Sequence, residues 1–336
     1  MAEQSSLTVA ACGLGVALSA ELSRTLVQPT LVGAARAEPI ALSRRATSAQ
    51  ALAVVAASCL RQIVQNEGGV RNGGSEAVHQ MRVGLRRLRA ALSIFSCARQ
   101  KDRFVGSKTE LAWLTEKLAA FRDYDVLLAS NRHFEDLMLS ACEGVPELVE
   151  VLLRRRQDAF AIARGAVTSV RFQRLIVSST LGLVLRCEIS RAGARPAGDL
   201  AREVLEHRTS RVLRHLADFG QLGAGERHKL RIQVKKLRYA MDFFATLFRH
   251  SKRPRRRFTR ALQELQDTLG SLNDTVVQQQ IASEIVQSGT SEARASRRIA
   301  FAVGRLSEKQ LADARTMGAR IPELTRRLAN APRFWR

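Results

Sequence analysis

The chain has 336 residues, which is enough for one large domain or two of ordinary size, each with its own core. Its 54 Lys and Arg against 31 Asp and Glu leave a formal net charge of +23, which indicates a polyanion or an anionic surface as partner. Because only 13 Phe, 2 Tyr and 2 Trp accompany this charge, the composition argues against a single-strand nucleic-acid binder, which needs stacking rings beside its basic groove.

Residues 1–45 are rich in Ala, Gly and Ser and contain Pro29 and Pro39, so we predict a partly ordered N-terminal arm. The apolar run from Leu7 to Ala20 is about 14 residues long, too short to span a bilayer. Glu3 stands where a signal peptide has a basic residue, which disfavours secretion. We therefore expect no membrane span and a cytoplasmic location.

The cysteines lie about 38 to 47 residues apart and never approach metal-ligand spacing. This spacing predicts that the cysteines are small buried apolar side chains of a protein in a reducing compartment and that they form no metal site. They are Cys12, Cys59, Cys97, Cys142 and Cys187.

From residue 47 onwards the sequence is rich in Ala, Leu, Arg, Glu and Gln and has little β-branched alternation, so it predicts an all-α protein without a sheet. Thr47 or Ser48 caps the first predicted helix, and Gly68, Gly69, Gly73 and Gly74 are expected to end it in a turn. Predicted helices cover residues 47–67, 75–97, 103–120, 124–140, 146–168, 170–189, 198–218, 226–249, 255–270, 274–287, 291–317 and 321–330.

An internal repeat is the most informative feature of the sequence. Residues 79–95, HQMRVGLRRLRAALSIF, match residues 228–244, HKLRIQVKKLRYAMDFF, at an offset of 149. A second segment follows each: LAWLTEKLAAFRDYDV from Leu111 matches LQELQDTLGSLNDTVV from Leu262. Two matched segments in the same order predict two similar halves, residues 46–190 and 191–336, related by a pseudo-two-fold axis.

Each copy of the first segment has an apolar stripe at helical spacing, which assigns its buried side. The stripes are Val78, Met81, Leu85, Leu88, Leu92 and Phe95 in the first copy, and Leu230, Val234, Leu237, Met241 and Phe244 in the second. Beside each stripe runs a basic strip, comprising His79, Arg82, Arg86 and Arg89 in the first copy and His228, Arg231, Lys235 and Arg238 in the second. Like charges at this spacing repel one another, so acidic neighbours or an external polyanion should compensate.

A run of charge is ordinarily a solvated helix face, but solvation alone does not require the same residue order in two copies. The repeated order instead favours a long, flexible and densely anionic ligand, because an arginine fork can hold two phosphate oxygens. A histidine at the head of each strip would make such binding tighten as the pH falls. A local hydrogen bond to a neighbouring loop is the structural alternative for these histidines.

Other polar groups have simpler interpretations. Asp123 and Asp125 in RDYD, and Asp274 in LND, are interpreted as helix caps or as partners of the arginines in the strips rather than as metal ligands. The stretch Lys252–Arg260 is predicted to be a solvated loop or an auxiliary anion patch, and Arg154–Arg156 a surface cluster.

The segments HQMRVGLRRLR with RDYDV, and HKLRIQVKKLRY with LGSLND, resemble the two halves of a CHAD domain, the conserved histidine α-helical domain. The resemblance covers residues 47 to 330. It implies an all-helical fold of two four-helix bundles about a pseudo-two-fold axis, with a basic central groove that binds inorganic polyphosphate. The matched binding candidates are His79, Arg82, Arg86, Arg87, Arg89, His228, Arg231, Lys235, Lys236 and Arg238.

We expect this binding to be non-catalytic and to require no cofactor, with targeting to polyphosphate granules as a possible role. The helical part offers no nucleophile with a base, no phosphate-cradling GxxxxGKS/T loop and no carboxylate cage. The ExExK motif of the triphosphate tunnel domain that precedes many CHAD domains does not occur in the sequence either.

The alternative function is nonspecific binding of DNA in the nucleoid, since a charge of +23 also attracts duplex phosphates. A metal-dependent phosphohydrolase that uses His79 or His228 is the least favoured interpretation. The oligomeric state does not follow from the sequence.

Overall fold

A computed structural model of the protein describes residues 33–95, 105–129, 136–137, 142–189, 195–289 and 293–336. Within these ranges the regular structure is helical and no strand occurs, which confirms the all-α prediction. The α-helices are α1 (Ser48–Gln65), α2 (Glu67–Arg71), α3 (Ser75–Phe95), α4 (Val105–Lys117), α5 (Ala119–Ala129), α6 (Val145–Thr168), α7 (Val170–Ile189), α8 (Ala197–Ala217), α9 (Ala224–Phe244), α10 (Lys252–Ser288), α11 (Ala293–Ala319) and α12 (Ile321–Ala329).

The start of α1 agrees with the sequence, but its end does not. Thr47 caps the helix: its hydroxyl accepts from the Gln50 amide (3.3 Å), and the Gln50 side chain accepts from the Thr47 amide (2.9 Å). Gly68 and Gly69 were predicted to lie in a turn, yet they belong to the short helix α2. Val70 in this helix is fully buried, so the segment stays helical to bury it. The turn follows at Asn72–Gly74.

Two further helix boundaries differ from the prediction. The break expected between residues 120 and 124 lies at Leu118, so that RDYD falls inside α5. The break expected at residues 271–273 is absent, because α10 is one continuous helix of 37 residues that includes the segment LGSLND. Asn273 and Asp274 do not need to cap a helix because their side chains bond to groups on α9 instead.

Both predicted apolar stripes are confirmed. The named residues of α3 and α9 are at most 9% exposed and belong to the main hydrophobic core, to which α1, α4, α7, α8, α10 and α12 also contribute. A second apolar cluster joins Leu127 of α5 and Leu152 of α6 to Ile285 of α10 and Leu306 of α11. The two halves therefore share their buried surface.

The starts of α1 and α8 meet in a seam of reciprocal main-chain hydrogen bonds. The Ser48 amide donates to the Arg195 carbonyl (2.8 Å), and the Ala197 amide donates to the Ala46 carbonyl (2.9 Å). Each donor and each acceptor is 149 residues from its counterpart, which is the offset of the sequence repeat. This is the pattern that a local two-fold axis through the seam produces.

The end of the predicted N-terminal arm is anchored to the helices. Ile40 and Leu42 are buried in the main core, and the Leu42 amide donates to the Thr246 hydroxyl (2.8 Å).

The predictions for Leu7–Ala20, Cys12 and Cys97 lie outside the described residues. Cys59 is a fully buried free thiol, as predicted, and burial raises its pKa to about 12. Cys142 is also free but only partly buried, so the prediction of burial is wrong for it.

The remaining basic segments are more ordered than expected. Lys252–Arg260 was interpreted as a loop or patch, but it forms the first turns of α10, where Arg255 donates to the carbonyl of Ala245. In the surface cluster Arg154–Arg156, Arg156 pairs with the buried Asp125 at 2.6 Å and its guanidinium lies 4.5 Å from the centre of the Phe121 ring. The acid and the ring hold Arg156 against α5.

No helix of the described residues is long and apolar enough to cross a membrane.

The position of α3 depends on close contact with α1 at Gly84. A Cβ atom built there would lie 2.9 Å from Cγ1 of Ile63 and 3.4 Å from the Cys59 carbonyl oxygen. We predict that Gly84→Ala lowers the free energy of unfolding by about 1 kcal/mol or more through overpacking. Urea unfolding followed by circular dichroism measures the change.

Gly165 is the matched control because it is helical and exposed, with nothing within 4 Å of a Cβ atom. Gly165→Ala should raise the free energy of unfolding by up to ~1 kcal/mol. Equal effects of the two substitutions would contradict the packing role of Gly84.

Candidate functional site

The two basic strips come together where α3 and α9 face each other. The Arg86 Nε atom on α3 lies 3.4 Å from the Tyr239 hydroxyl on α9. Arg82 and Arg86 on α3 act electrostatically on Arg231 and Lys235 on α9. Residues that are about 150 positions apart in sequence thus form one group of interacting cations, which we call the central cluster: Arg82, Arg86, Arg231 and Lys235.

Burial and mutual repulsion lower the pKa values of cations in the central cluster. Burial, together with the charges of Arg231, Arg86 and Arg82, lowers the pKa of Lys235 to about 7 against the opposing effect of Asp274. Burial, with Arg86, Arg122 and Arg231, lowers the pKa of Arg82 to about 10 against the opposing effect of Asp123. The site is therefore short of negative charge.

Two carboxylates, from matching places in the two halves, border the cluster. Asp123 on α5 stabilises the charge of Arg82, and Asp274 on α10 lies 3.4 Å from Nη2 of Arg231. Burial raises the pKa of Asp123, and the proximity of Asp274 raises it as well. Of the two interpretations of these acids, the structure supports pairing with arginines, because both residues lie inside helices rather than at their ends.

One donor of the central cluster has no acceptor. The Nε atom of Arg231 is buried and makes no hydrogen bond, although Nη2 of the same guanidinium faces Asp274. A buried donor without a partner costs about 1 to 3 kcal/mol. An anion that entered the cluster would remove this cost.

The histidines lie at the start of their strips. His79 is partly buried, and burial together with Arg122 and Arg86 lowers its pKa, with Glu76 opposing. His228 is exposed, and its Nδ1 lies 2.7 Å from Oδ1 of Asn273. The partner of His228 thus sits in a helix, not in the loop that the alternative interpretation expected.

The other predicted site residues lie in different surroundings. Arg87 is 4% exposed, donates to Oε1 of Gln62 (2.9 Å) and lies against the Phe243 ring, so it is part of the interior. Lys236 lines a separate cationic cavity. Burial lowers its pKa, and the nearby Arg208, Arg89 and Arg211 lower it as well. Arg238 is partly exposed and acts on Asp242.

The sequence interpretation missed Arg122 and Tyr239. Arg122 acts on both Arg82 and His79, and Tyr239 acts on Arg231 and contacts Arg86. Arg122 precedes Asp123 in RDYD, and Tyr239 follows Arg238 in KKLRY, so both adjoin the repeated motifs. No group of three or more metal-ligating side chains occurs in the parts of the chain that the structure describes.

A family profile and one solved structure point to the same family. Residues 54–283 match the sequence profile of the CHAD domain. The fold is similar to the crystal structure of the CHAD domain from the plant Ricinus communis, with 29% sequence identity, a TM-score of 0.76, and coverage of 90% of this chain and 99% of that chain. It is also similar to PptA from Streptomyces chartreusis, with 18% identity, a TM-score of 0.63, and coverage of 84% and 100%. No curated protein matches the sequence.

The profile match covers more than half of the sequence, and the chain therefore belongs to the CHAD domain family. The resemblance drawn from the two repeated motifs is confirmed, and binding of polyphosphate is consistent with this membership.

The low pKa of Lys235 predicts that its charge destabilises the free protein. A folded-state pKa of about 7 lies below the ordinary value of 10.5, so below pH 7 the folded protein carries the full cost of this charge. Lys235→Met should therefore raise the Tm of the ligand-free protein at pH 6.5 by roughly 2 to 4 °C, which corresponds to ~1 kcal/mol or more.

Because the wild-type side chain loses its proton as the pH rises through 7, this gain should shrink between pH 7 and pH 10. Thermal unfolding at several pH values measures it. The exposed Lys252→Met is the control and should leave the Tm unchanged within about 1 °C. A lower Tm for Lys235→Met at pH 6.5 would contradict the prediction.

Proposed function

We propose that the protein binds inorganic polyphosphate without catalysing its conversion, and that the central cluster is the binding site. The observation that carries this proposal is the buried Nε of Arg231, an unpaired cationic donor in a cluster where like charges already depress the pKa values of Arg82 and Lys235. Such a site gains most from a ligand with closely spaced negative charges.

Each side chain has a distinct part in this proposal. The forks of Arg82, Arg86 and Arg231 donate charge-assisted hydrogen bonds to phosphate oxygens, and Lys235 supplies a point charge. Asp274 pairs with Arg231, and Asp123 stabilises the charge of Arg82 electrostatically. His79 and His228, with the flanking Arg89 and Arg238, extend the cationic surface along the two helices.

A polymer suits the site better than a small phosphate. A long chain engages cations from both helices at once and gains from multivalency, whereas a short phosphate contacts only some of them. In the cell, a site of this kind would concentrate the protein on polyphosphate granules.

The first test of the proposal removes the two matched arginines. Arg82→Gln with Arg231→Gln should weaken binding of long-chain polyphosphate roughly 100-fold at about 0.15 M salt, since each charge-assisted hydrogen bond contributes about 1.5 kcal/mol. Calorimetric titration with long-chain polyphosphate, triphosphate and duplex DNA at matched phosphate concentration measures the effect.

The control removes two exposed arginines elsewhere, with Arg174→Gln and Arg294→Gln in one chain. It has the same net charge as the double variant of the cluster and should bind polyphosphate within about twofold of wild type. If both double variants lose affinity equally, or if DNA binds as tightly per phosphate as the polymer, the protein is a general basic surface that binds DNA nonspecifically. Shortening of the polymer in the presence of Mg²⁺ or Mn²⁺ would overturn the non-catalytic part.

The second test uses pH. A bound polyanion favours the protonated form of Lys235, so its pKa rises on binding from about 7 in the free protein. Affinity should therefore be fully present below pH 7 and fall by up to about tenfold for each unit above it, until the pKa of the complex is reached.

Lys235→Arg should flatten this profile, because a guanidinium stays charged throughout the range. Titrations at pH 7.5 in two buffers with different ionisation enthalpies should show proton uptake by wild type and much less by the variant. A pH dependence that Lys235→Arg leaves intact would assign the effect to another group.

A further inference from the structure

A second cationic cavity lies apart from the central cluster. It has a volume of about 470 Å³, opens to solvent, and is lined by the end of α3 together with α8 and α9. Its cations are Arg208 and Arg211 on α8 and Lys229 and Lys236 on α9. Lys236 and the cluster residue Lys235 are neighbours in sequence but about 100° apart around the helix, so the two sites open on different sides of α9.

The cations of this cavity lack compensation. Burial and Arg211 lower the pKa of Arg208 to about 10, and burial with three arginines lowers the pKa of Lys236. Among the described residues, no carboxylate contributes to either shift. The carboxylate on the cavity wall, Glu203, pairs with Arg195 at 2.5 Å. The charge of the cavity therefore favours an anionic ligand.

At the equivalent place in the first half of the chain, the residues that the structure describes are buried. At the offset of 149, Cys59 and Gln62 on α1 correspond to Arg208 and Arg211 on α8. Cys59 is fully buried, and Gln62 is 2% exposed and bonded to Arg87, the counterpart of Lys236. The pair α1 and α3 is closely packed where the pair α8 and α9 leaves a charged cavity.

The same comparison explains a polar atom on the cavity wall. Gln233 takes the place of Gly84, whose missing side chain lets α3 approach α1. The Oε1 atom of Gln233 is buried and accepts no hydrogen bond. A ligand that supplied a hydroxyl donor would satisfy it, whereas fully ionised phosphate groups supply none.

The rest of the wall indicates what else the ligand carries. Ile94, Val204 and Ile232 contribute apolar surface. The described side chains that line the cavity include no Phe, Tyr or Trp, so the imidazole of His207 is the one ring on this wall that could stack on a nucleotide base. The volume falls within the range of small-molecule sites.

We propose that this cavity binds a sugar or polyol bisphosphate, with its phosphates on Arg208, Arg211 and Lys236 and a hydroxyl donating to Gln233. The carbon skeleton lies against the apolar wall. The site is separate from the central cluster, and its ligand does not depend on polyphosphate binding.

Fructose 1,6-bisphosphate is the probe, titrated calorimetrically into the full chain at about 0.15 M salt, where weak surface attraction is screened. It should bind at least tenfold more tightly than fructose 6-phosphate, triphosphate and ADP. Arg211→Gln with Lys236→Gln should weaken its binding at least tenfold. Arg214→Gln with Lys252→Gln removes two exposed cations outside the cavity and should change the Kd less than twofold.

Arg82→Gln with Arg231→Gln separates the two sites, because it should weaken polyphosphate binding and leave the Kd of fructose 1,6-bisphosphate within twofold. Absence of saturable binding to wild type up to millimolar concentrations would overturn the proposal. Equal losses in the cavity variant and the exposed control would do so too, as would triphosphate binding as tightly as the bisphosphate.

Discussion

Cationic side chains of two helices lie partly buried side by side in this fold, and their mutual repulsion has to be balanced by packing elsewhere. Arg82 and Arg86 face Arg231 and Lys235 because the apolar stripes of α3 and α9 lie in one shared core. Asp123 and Asp274 offset only part of the repulsion. The core therefore stabilises an arrangement that the charges oppose, and the remaining imbalance is available to an anionic ligand.

This balance couples ligand binding to folding stability. A polyanion that binds only the folded protein adds stability in proportion to the logarithm of its concentration over its Kd. It also relieves the repulsion among the cations and satisfies the buried Nε of Arg231. The residues that make the free protein less stable are thus the ones that we propose for binding, which is a common relation between stability and function.

Much of this structure could be predicted from the sequence because the repeat and the apolar stripes act locally. The stripes of α3 and α9 assign their buried sides correctly, and Thr47 caps α1. The course of α10 through LGSLND was not predictable in this way, because Asn273 and Asp274 are typical of helix ends. Only their partners on α9, His228 and Arg231, make them compatible with the middle of a helix.

The distribution of the basic residues shows a second limit. Arg87 and Lys236 occupy equivalent positions, yet one is bonded to Gln62 in the interior and the other borders a cavity. The difference arises from residues on the neighbouring helices α1 and α8, outside the repeated motifs. A basic motif therefore predicts which helix faces carry charge, but not which of its members meets solvent.

The seam between α1 and α8 has a consequence for how the two halves change over time. Its reciprocal bonds join only main-chain atoms of Ala46, Ser48, Arg195 and Ala197. The side chains beside the seam can differ without loss of these bonds. Thr47 in the first half corresponds to Pro196 in the second, and the two residues pair across the seam. The two similar halves can therefore differ in side chains while these bonds keep the starts of α1 and α8 together, so that one half packs Arg87 in its interior where the other opens a cavity at Lys236.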